Sequence, residues 1–407
     1  MTAFHAITLS NGLRIIHEPS PTDIVYCGLF VDAGTKDEDT DDAGLAHFCE
    51  HTSFKGTTHR KAYHIRNRLE SVGGDLNAYT NKEETVYYAT IQKVYFDRAA
   101  DLLFDIVFHS TFPQQELEKE TEVIIGEIDC YNDSPAELIY DEFEEMVFRG
   151  HGLGRNILGN EKRLREYRTH DAQRFTSHHY IPANVTFFVY GNVDFQHIVK
   201  MATRLTADLS LATIDKHTLP LPEYIQEERH CTHHTHQAHV LLGNRVYGSQ
   251  HPKRFALALL NNILGGPGMN SLLNIALREK HGLVYTAEST VFNYTEAGIW
   301  SIYFGCDEND VSKCHRLILN QLDRLTDKPL GESQLARAKR QMTGQMHLAS
   351  DNFENYALAL GKFYARTGKH RDIEASCKAI MELTATDLLN TAQEIFRPER
   401  LSMLVYT

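Results

Sequence analysis

The segment GLAHFCEHTSFKG, residues 44–56, places His47 and His51 four positions apart, with Glu50 directly before the second histidine. On a helix advancing about 100° per residue, the two imidazoles lie about 40° apart and Glu50 lies about 60° to the other side of His47. Two imidazoles so placed can grip one metal ion while the carboxylate reaches a water beside it. A catalytic zinc needs a third protein ligand and one open position. The helix expected over 115–131, QELEKETEVIIGEIDCY, supplies candidates. Its projection puts Glu120, Val123, Ile124, Glu127 and Tyr131 on one face, so two carboxylates interrupt an apolar stripe. Ionised carboxylates are costly there unless they meet a cation, so this face either meets a metal, pairs with a lysine or arginine, or is half solvated.

These residues need elements to position them. Apolar periodicity predicts strands near 12–17 and 24–33, helices near 43–54 and 63–72, and a hairpin within 75–92. Helices near 94–110, 115–131 and 135–149 follow, then smaller helices and a strand at 184–191. The second half repeats this order. It has a strand near 237–246, helices at 252–264 and 269–280, strands at 283–293 and 297–306, helices up to 396 and a last strand at 400–406. An ungapped match supports duplication: DAQRFTSHHYIPANVTFFVY (171–190) aligns with DLLNTAQEIFRPERLSMLVY (387–406). Each copy reads as a capped helix, a proline turn and an apolar strand ending on tyrosine. The expected fold is therefore α+β, with two homologous domains, each a mixed β-sheet with helices packed against it. The N-terminal domain spans 1–210, a proline-containing charged linker spans 211–226, and the C-terminal domain spans 227–407.

A chain of 407 residues that is 42% hydrophobic can bury two cores of ordinary size. Its net charge of −13, spread along the chain, argues against a nucleic-acid partner. No apolar run has the length of a membrane span, and the N-terminus lacks a secretory pattern. The seven cysteines are scattered and never form a C-x-x-C pair, as expected of free thiols in the cytoplasm.

HFCEH (47–51), GGDLNAYTNKEETVYY (73–88), EKETEVIIGEI (118–128) and LREKHGLVY (277–285) follow one another in an order and spacing that resemble the pitrilysin or insulinase zinc peptidases, which include mitochondrial processing peptidase. The resemblance runs from residue 8 to the C-terminus. It implies His47, His51 and Glu127 as ligands of one Zn2+ per chain, Glu50 as general base, and Glu120 as a supporting acid. It also implies Asn77 and Ala78 as an edge-strand site for substrate backbone, and Arg278 with Tyr285 as a pair near the scissile carbonyl. Read from the residues alone, Arg278 suits a helix C-terminus and Tyr285 the core of the next strand. Relatives form a clamshell of four such domains. This chain carries two of them with both residue sets, which implies a homodimer with each site completed in trans. The implied activity is endopeptidase cleavage of unfolded peptides or short polypeptides. The alternative is a non-catalytic scaffold or a partner subunit of a heterodimeric peptidase.

Three features stand apart. Cys49 occupies a position that is often aliphatic in relatives, and it suggests sensitivity to thiol reagents. The run HCTHHTHQAH (230–239) invites a second metal site through His234 and His236, but reads better as the opening strand of the second domain. GGPG (265–268) lacks the lysine and hydroxyl residues of a phosphate loop and reads as a hinge or tight turn.

Overall fold

The computed structural model describes residues 4–214, 219–233 and 235–407. The first half of the chain runs β1 (His5–Thr8), β2 (Arg14–Glu18), β3 (Ile24–Val31), α1 (Leu45–Ser53), α2 (Ala62–Glu70), β4 (Asp75–Thr80), β5 (Thr85–Gln92), α3 (Phe96–Phe108), α4 (Gln114–Asn132), α5 (Pro135–Val147), α6 (Glu161–Glu166), α7 (Thr169–His179), β6 (Val185–Tyr190) and α8 (Phe195–Leu205). The second half runs β7 (Glu228–Cys231), β8 (Ala238–Tyr247), α9 (Arg254–Gly265), a π-helical turn (Asn274–Glu279), β9 (Val284–Asn293), β10 (Ala297–Cys306), α10 (Val311–Asp327), α11 (Glu332–Ser350), α12 (Phe353–Thr367), α13 (Ile373–Glu382), α14 (Ala385–Ile395) and β11 (Ser402–Tyr406).

The strands form two sheets, ordered β1-β2-β6-β3-β5-β4 and β7-β11-β8-β10-β9. Apart from the extra β1, the two orders correspond strand for strand. The parallel pair is β2–β6 in one sheet and β7–β11 in the other, and every other pair is antiparallel. The block aligned in sequence is the same structure twice. Asp171 accepts from the Arg168 N–H at the start of α7, and Asp387 from the Thr384 N–H at the start of α14. Each helix then leads through a 3-10 turn opening on Pro182 or Pro398 into a wholly buried strand, VTFFVY or SMLVY.

The chain forms two compact units, and two segments cross between its halves. The first unit comprises Met1–Cys130, His151–Pro220 and Ser350–Arg371; the second comprises Tyr131–Gly150, Leu221–Ala349 and Asp372–Thr407. In the first unit α12 lies on β6 and β3, where Ala357, Leu360 and Tyr364 join Ile16, Phe30, Val86 and Phe188 in a buried layer. The other face of that sheet carries α3, and a larger core gathers Leu29, Val31, Phe104 and Phe187. Two covered faces explain why β3 and β6 read as continuous apolar runs rather than alternating ones. In the second unit α5 occupies the matching place on β8 and β11.

Three local expectations change. The helix expected at 269–280 begins only at Leu272 and is π-helical from Asn274 to Glu279, with Lys280 N–H bonding the Ile275 carbonyl five residues back. The histidine-rich run is mostly the connection between β7, which ends at Cys231, and β8, which begins at Ala238; His234 lies outside the described residues. Short β1 and β7 were not expected as strands, because HAIT and ERHC are four residues each with no apolar alternation, and pairing with β2 and β11 defines them.

Candidate active site

In the first unit, α1 carries His47, Glu50 and His51, and α4 carries Glu127 and Glu120. The start of α1 is fixed from outside the helix. The buried Glu38 carboxylate accepts the Gly44 N–H at 3.2 Å and the Ala46 N–H at 2.9 Å, supplying acceptors to a helix N-terminus that has no cap of its own. Gly44 sits at φ 77°, with the Leu158 carbonyl 2.6 Å from where a Cβ would be, so only glycine fits this turn.

His47 Nε2 lies 3.9 Å and His51 Nε2 3.7 Å from Glu127 Oε2. The three donor atoms are within 4.8 Å of one another. A tetrahedral zinc with bonds of 2.0–2.2 Å spaces its ligand atoms about 3.4 Å apart, so the two nitrogen–oxygen spacings need to close by only a few tenths of an ångström. His51 Nδ1–H donates to Glu120 Oε1 at 3.1 Å, which leaves Nε2 as the lone-pair nitrogen. Burial drives the His47 pKa down to about 3, so its ring is neutral. His47 Nδ1 is buried without a partner, and an ion on Nε2 would anchor a ring that otherwise lacks a directed bond. Burial opposes a charged His51, but Glu120, Glu50 and Glu127 outweigh it and raise the ring. Three carboxylates thus converge on one place, and the residues fit a divalent cation.

Glu120 takes the lysine resolution open to its helix face, pairing with Lys55 Nζ at 2.5 Å while it also bonds His51. These partners hold its pKa low against the upward push of burial. The face itself is corrected in one respect. Leu117, Glu120, Thr121, Ile124 and Ile125 are its buried residues, whereas Val123 is 56% exposed and Glu127 is open to solvent on one side.

Burial raises Glu50 to about 7, and Thr80 Oγ1 donates to its Oε2 at 3.1 Å, leaving Oε1 free. Thr80 ends β4, and the turn after it is gripped from several sides. Thr35 and Lys36 N–H bond the Asn81 and Lys82 carbonyls, Lys36 Nζ pairs with Glu83 at 2.6 Å, and Lys362 Nζ pairs with Glu84 at 2.5 Å. Arg366 reaches Asp32, the Glu83 carbonyl and the Glu84 carboxylate. None of Lys55, Thr80 or this network was expected from the sequence. Lys55 alone had a signal, standing four residues after His51, just past the end of α1.

β4 is the last strand of its sheet among the described residues, with α1 beside it. Asn77 is exposed on it and bonds Asp75 at 3.1 Å; Ala78 is half-buried. Arg278 and Tyr285 belong to the second unit and are together there, with the guanidinium carbon 5.9 Å from the phenol ring. Tyr285 is 83% exposed, which overturns the core reading. Both line an open cavity of about 770 Å³ with Gly265–Met269, so the GGPG segment forms a wall of that cavity. Cys49 is fully buried, and burial pushes its thiol far up. The exposed thiol is Cys130, so reagent sensitivity does not belong to Cys49.

The family model of insulinase (peptidase family M16) matches residues 14–161, and that of the peptidase M16 inactive domain matches residues 169–342. The chain is 32% identical over 394 residues to an uncharacterized zinc protease of Rickettsia felis, covering 97% of this chain and 95% of that protein. It is also 32% identical over 385 residues to the uncharacterized zinc protease YmxG of Bacillus subtilis, covering 94% and 92%. Among solved structures, a protease from Helicobacter pylori superposes with a TM-score of 0.91 at 21% identity over 100% of this chain and 99% of that one. A peptidase M16 inactive domain from Pseudomonas fluorescens superposes with a TM-score of 0.91 at 17% identity, covering 99% and 98%. The two superpositions establish the fold, and similarity along nearly the whole sequence establishes that the chain belongs to the insulinase family, peptidase family M16.

Proposed function

We propose that the protein is a zinc endopeptidase that hydrolyses peptide bonds in unfolded peptides or short polypeptides. The observation that carries this reading is the convergence of His47, His51 and Glu127 beside a Glu50 with one oxygen unclaimed among the described residues, next to the outer edge of the last strand of the sheet. Bound by these three residues, one catalytic zinc per chain would act as a Lewis acid on water and on the scissile carbonyl. Glu50 takes the proton at Oε1 and later gives it to the leaving amine nitrogen, a task suited to a carboxylate raised to about 7. Glu120 holds the His51 tautomer. Substrate backbone pairs with the open edge of β4 at Asn77 and Ala78, which demands an extended chain and so selects against folded protein.

Arg278 and Tyr285 supply positive charge and a hydroxyl donor to the developing oxyanion. We assign them to the partner subunit of a homodimer, so that each site is completed in trans. The cytoplasm suits seven free cysteines.

The test is cleavage of a mixed pool of unstructured peptides, read by mass spectrometry, with bound metal quantified. Wild type cuts internal bonds, Glu50→Gln does not, and both hold zinc. If both hold zinc and neither cuts, the scaffold or partner-subunit reading replaces this one. For the shared site, inactive Glu50→Gln and Tyr285→Phe chains are mixed, and activity that fails to return after subunit exchange refutes completion in trans.

A further inference from the structure

Glu142, Cys231 and His233 come together in the second unit, far in sequence from the HFCEH motif and on different elements. β7 runs parallel to β11, with Cys231 opposite Tyr406. Past the end of β7 the chain stays fastened to the C-terminal strand: His233 N–H donates to the Thr407 carbonyl at 2.7 Å and Thr407 N–H to the Cys231 carbonyl at 3.1 Å. Cys231 and His233 are two residues apart in extended chain, so their side chains leave on the same side. Helix α5, packed on β8 and β11, brings Glu142 to that side. The thiol sulfur, one imidazole nitrogen and one carboxylate oxygen all lie within 4.8 Å of one another, and each residue is half-buried.

Glu142 has no lysine or arginine partner among the described residues, and the nearby Arg229 is engaged with Glu227 at 3.1 Å. The His233 ring packs 4.1 Å from the ring of the fully buried Tyr406, which limits how far it can turn away.

We infer that Glu142, Cys231 and His233 form a second metal site, selective for a borderline thiophilic dication of the zinc class. A sulfur, a nitrogen and an oxygen donor suit zinc or cobalt and disfavour magnesium and calcium, which take oxygen alone. Binding deprotonates Cys231, the proton passing to solvent, and leaves one coordination position for water. The ion would tie α5 to the C-terminal strands of the second unit. It is distinct from the proposed catalytic zinc in its ligands, its unit and its thiolate.

The test uses the full chain, free of any affinity tag, stripped of metal and titrated with Co2+. Wild type takes up two equivalents and develops near-ultraviolet thiolate-to-cobalt charge-transfer absorption. Cys231→Ser binds one equivalent and lacks that band, whereas Cys130→Ser, which removes the exposed thiol, keeps both. The double variant His47→Ala/His51→Ala loses the other equivalent and keeps the band, so failure of the catalytic reading and failure of this one are told apart. A wild-type chain without thiolate absorption, or a band that survives Cys231→Ser, overturns the inference, and the first of these readouts needs no variant to fold.

Discussion

Replacing Glu120 by glutamine tests whether this residue tunes the metal site or merely balances Lys55. The carboxylate accepts His51 Nδ1–H on one oxygen and Lys55 on the other, and its side chain is only 10% exposed. Glutamine keeps one acceptor oxygen and turns an amide donor toward either the ammonium or the imidazole N–H, so one of two charge-assisted bonds becomes a clash of donors. A hydrogen bond to a charged group contributes about 1.5–3 kcal/mol. Loss of the group that orients a ligating histidine weakens metal binding about 10–100-fold, or about 1.4–2.7 kcal/mol. The two magnitudes agree, and we expect the zinc Kd of Glu120→Gln to rise within that range. The assay is competition with a chromophoric chelator at neutral pH, with circular dichroism to establish that the variant is folded; it does not depend on peptide cleavage. Lys55→Ala keeps the His51 bond and should weaken zinc binding less. A folded Glu120→Gln chain with wild-type zinc affinity would refute the argument and leave Glu120 as a partner of Lys55 alone.

Glu50 titrates at about 7 when folded and near the ordinary carboxylate value when unfolded, so its ionisation costs stability as pH rises from about 4.5 through 7. Metal-free Glu50→Gln should therefore be more stable than wild type at pH 8 by about 1–3 kcal/mol in denaturant titration, and equal stabilities would count against a buried, strained base. Arg366→Ala should lose about 3 kcal/mol, because it leaves Asp32 and the buried Glu84 short of a cation. Burial pushes Glu84 up, but Lys362 and Arg366 hold it below its usual value. That contribution is complete above the unfolded pKa and is lost as pH falls through the lower folded one; a gap between wild type and Arg366→Ala that stays constant in acid would contradict it. Gly361→Ala places a Cβ 2.5 Å from Cδ1 of the buried Phe188, forcing α12 away from its sheet, and thermal unfolding should report a loss of about 1–3 kcal/mol. Maleimide labelling of the native chain should modify Cys130 and spare Cys49, and rapid labelling of Cys49 would mean that α1 opens readily.

The two histidines were legible because helical periodicity alone puts residues four apart on one face. Glu127 and Glu120 were legible as charges interrupting an apolar stripe, although Val123 proved to lie on the open side, since a projection gives angles and not what packs against them. The partners that finish the site were not legible. Thr80 reaches Glu50 from a strand thirty residues on, and Lys362 and Arg366 reach the turn beyond it from more than 270 residues on. Such pairs are made by the tertiary fold and leave no local pattern. The duplicated helix, proline turn and strand were readable because their caps and turns are local. An apolar stripe on α5 or α12 announces that the helix will be covered without naming the sheet it covers. The π-helical turn at 274–279 has the apolar spacing of an ordinary helix, and it is distinguished by bonding five residues back, as from Lys280 to Ile275.

The crossing of α12 has a consequence for how the chain is made. Every strand of the first sheet has been synthesised by Tyr190, yet the helix that covers Phe30, Val86 and Phe188 ends at Thr367. At about 5–20 residues per second, roughly 10–35 s separate the two events on the ribosome. For that interval the nascent first unit presents an apolar sheet face with nothing on it. The same exposure would be permanent in a product truncated before residue 353, which should be captured by chaperones or aggregate even though its histidine motif and Glu127 are intact.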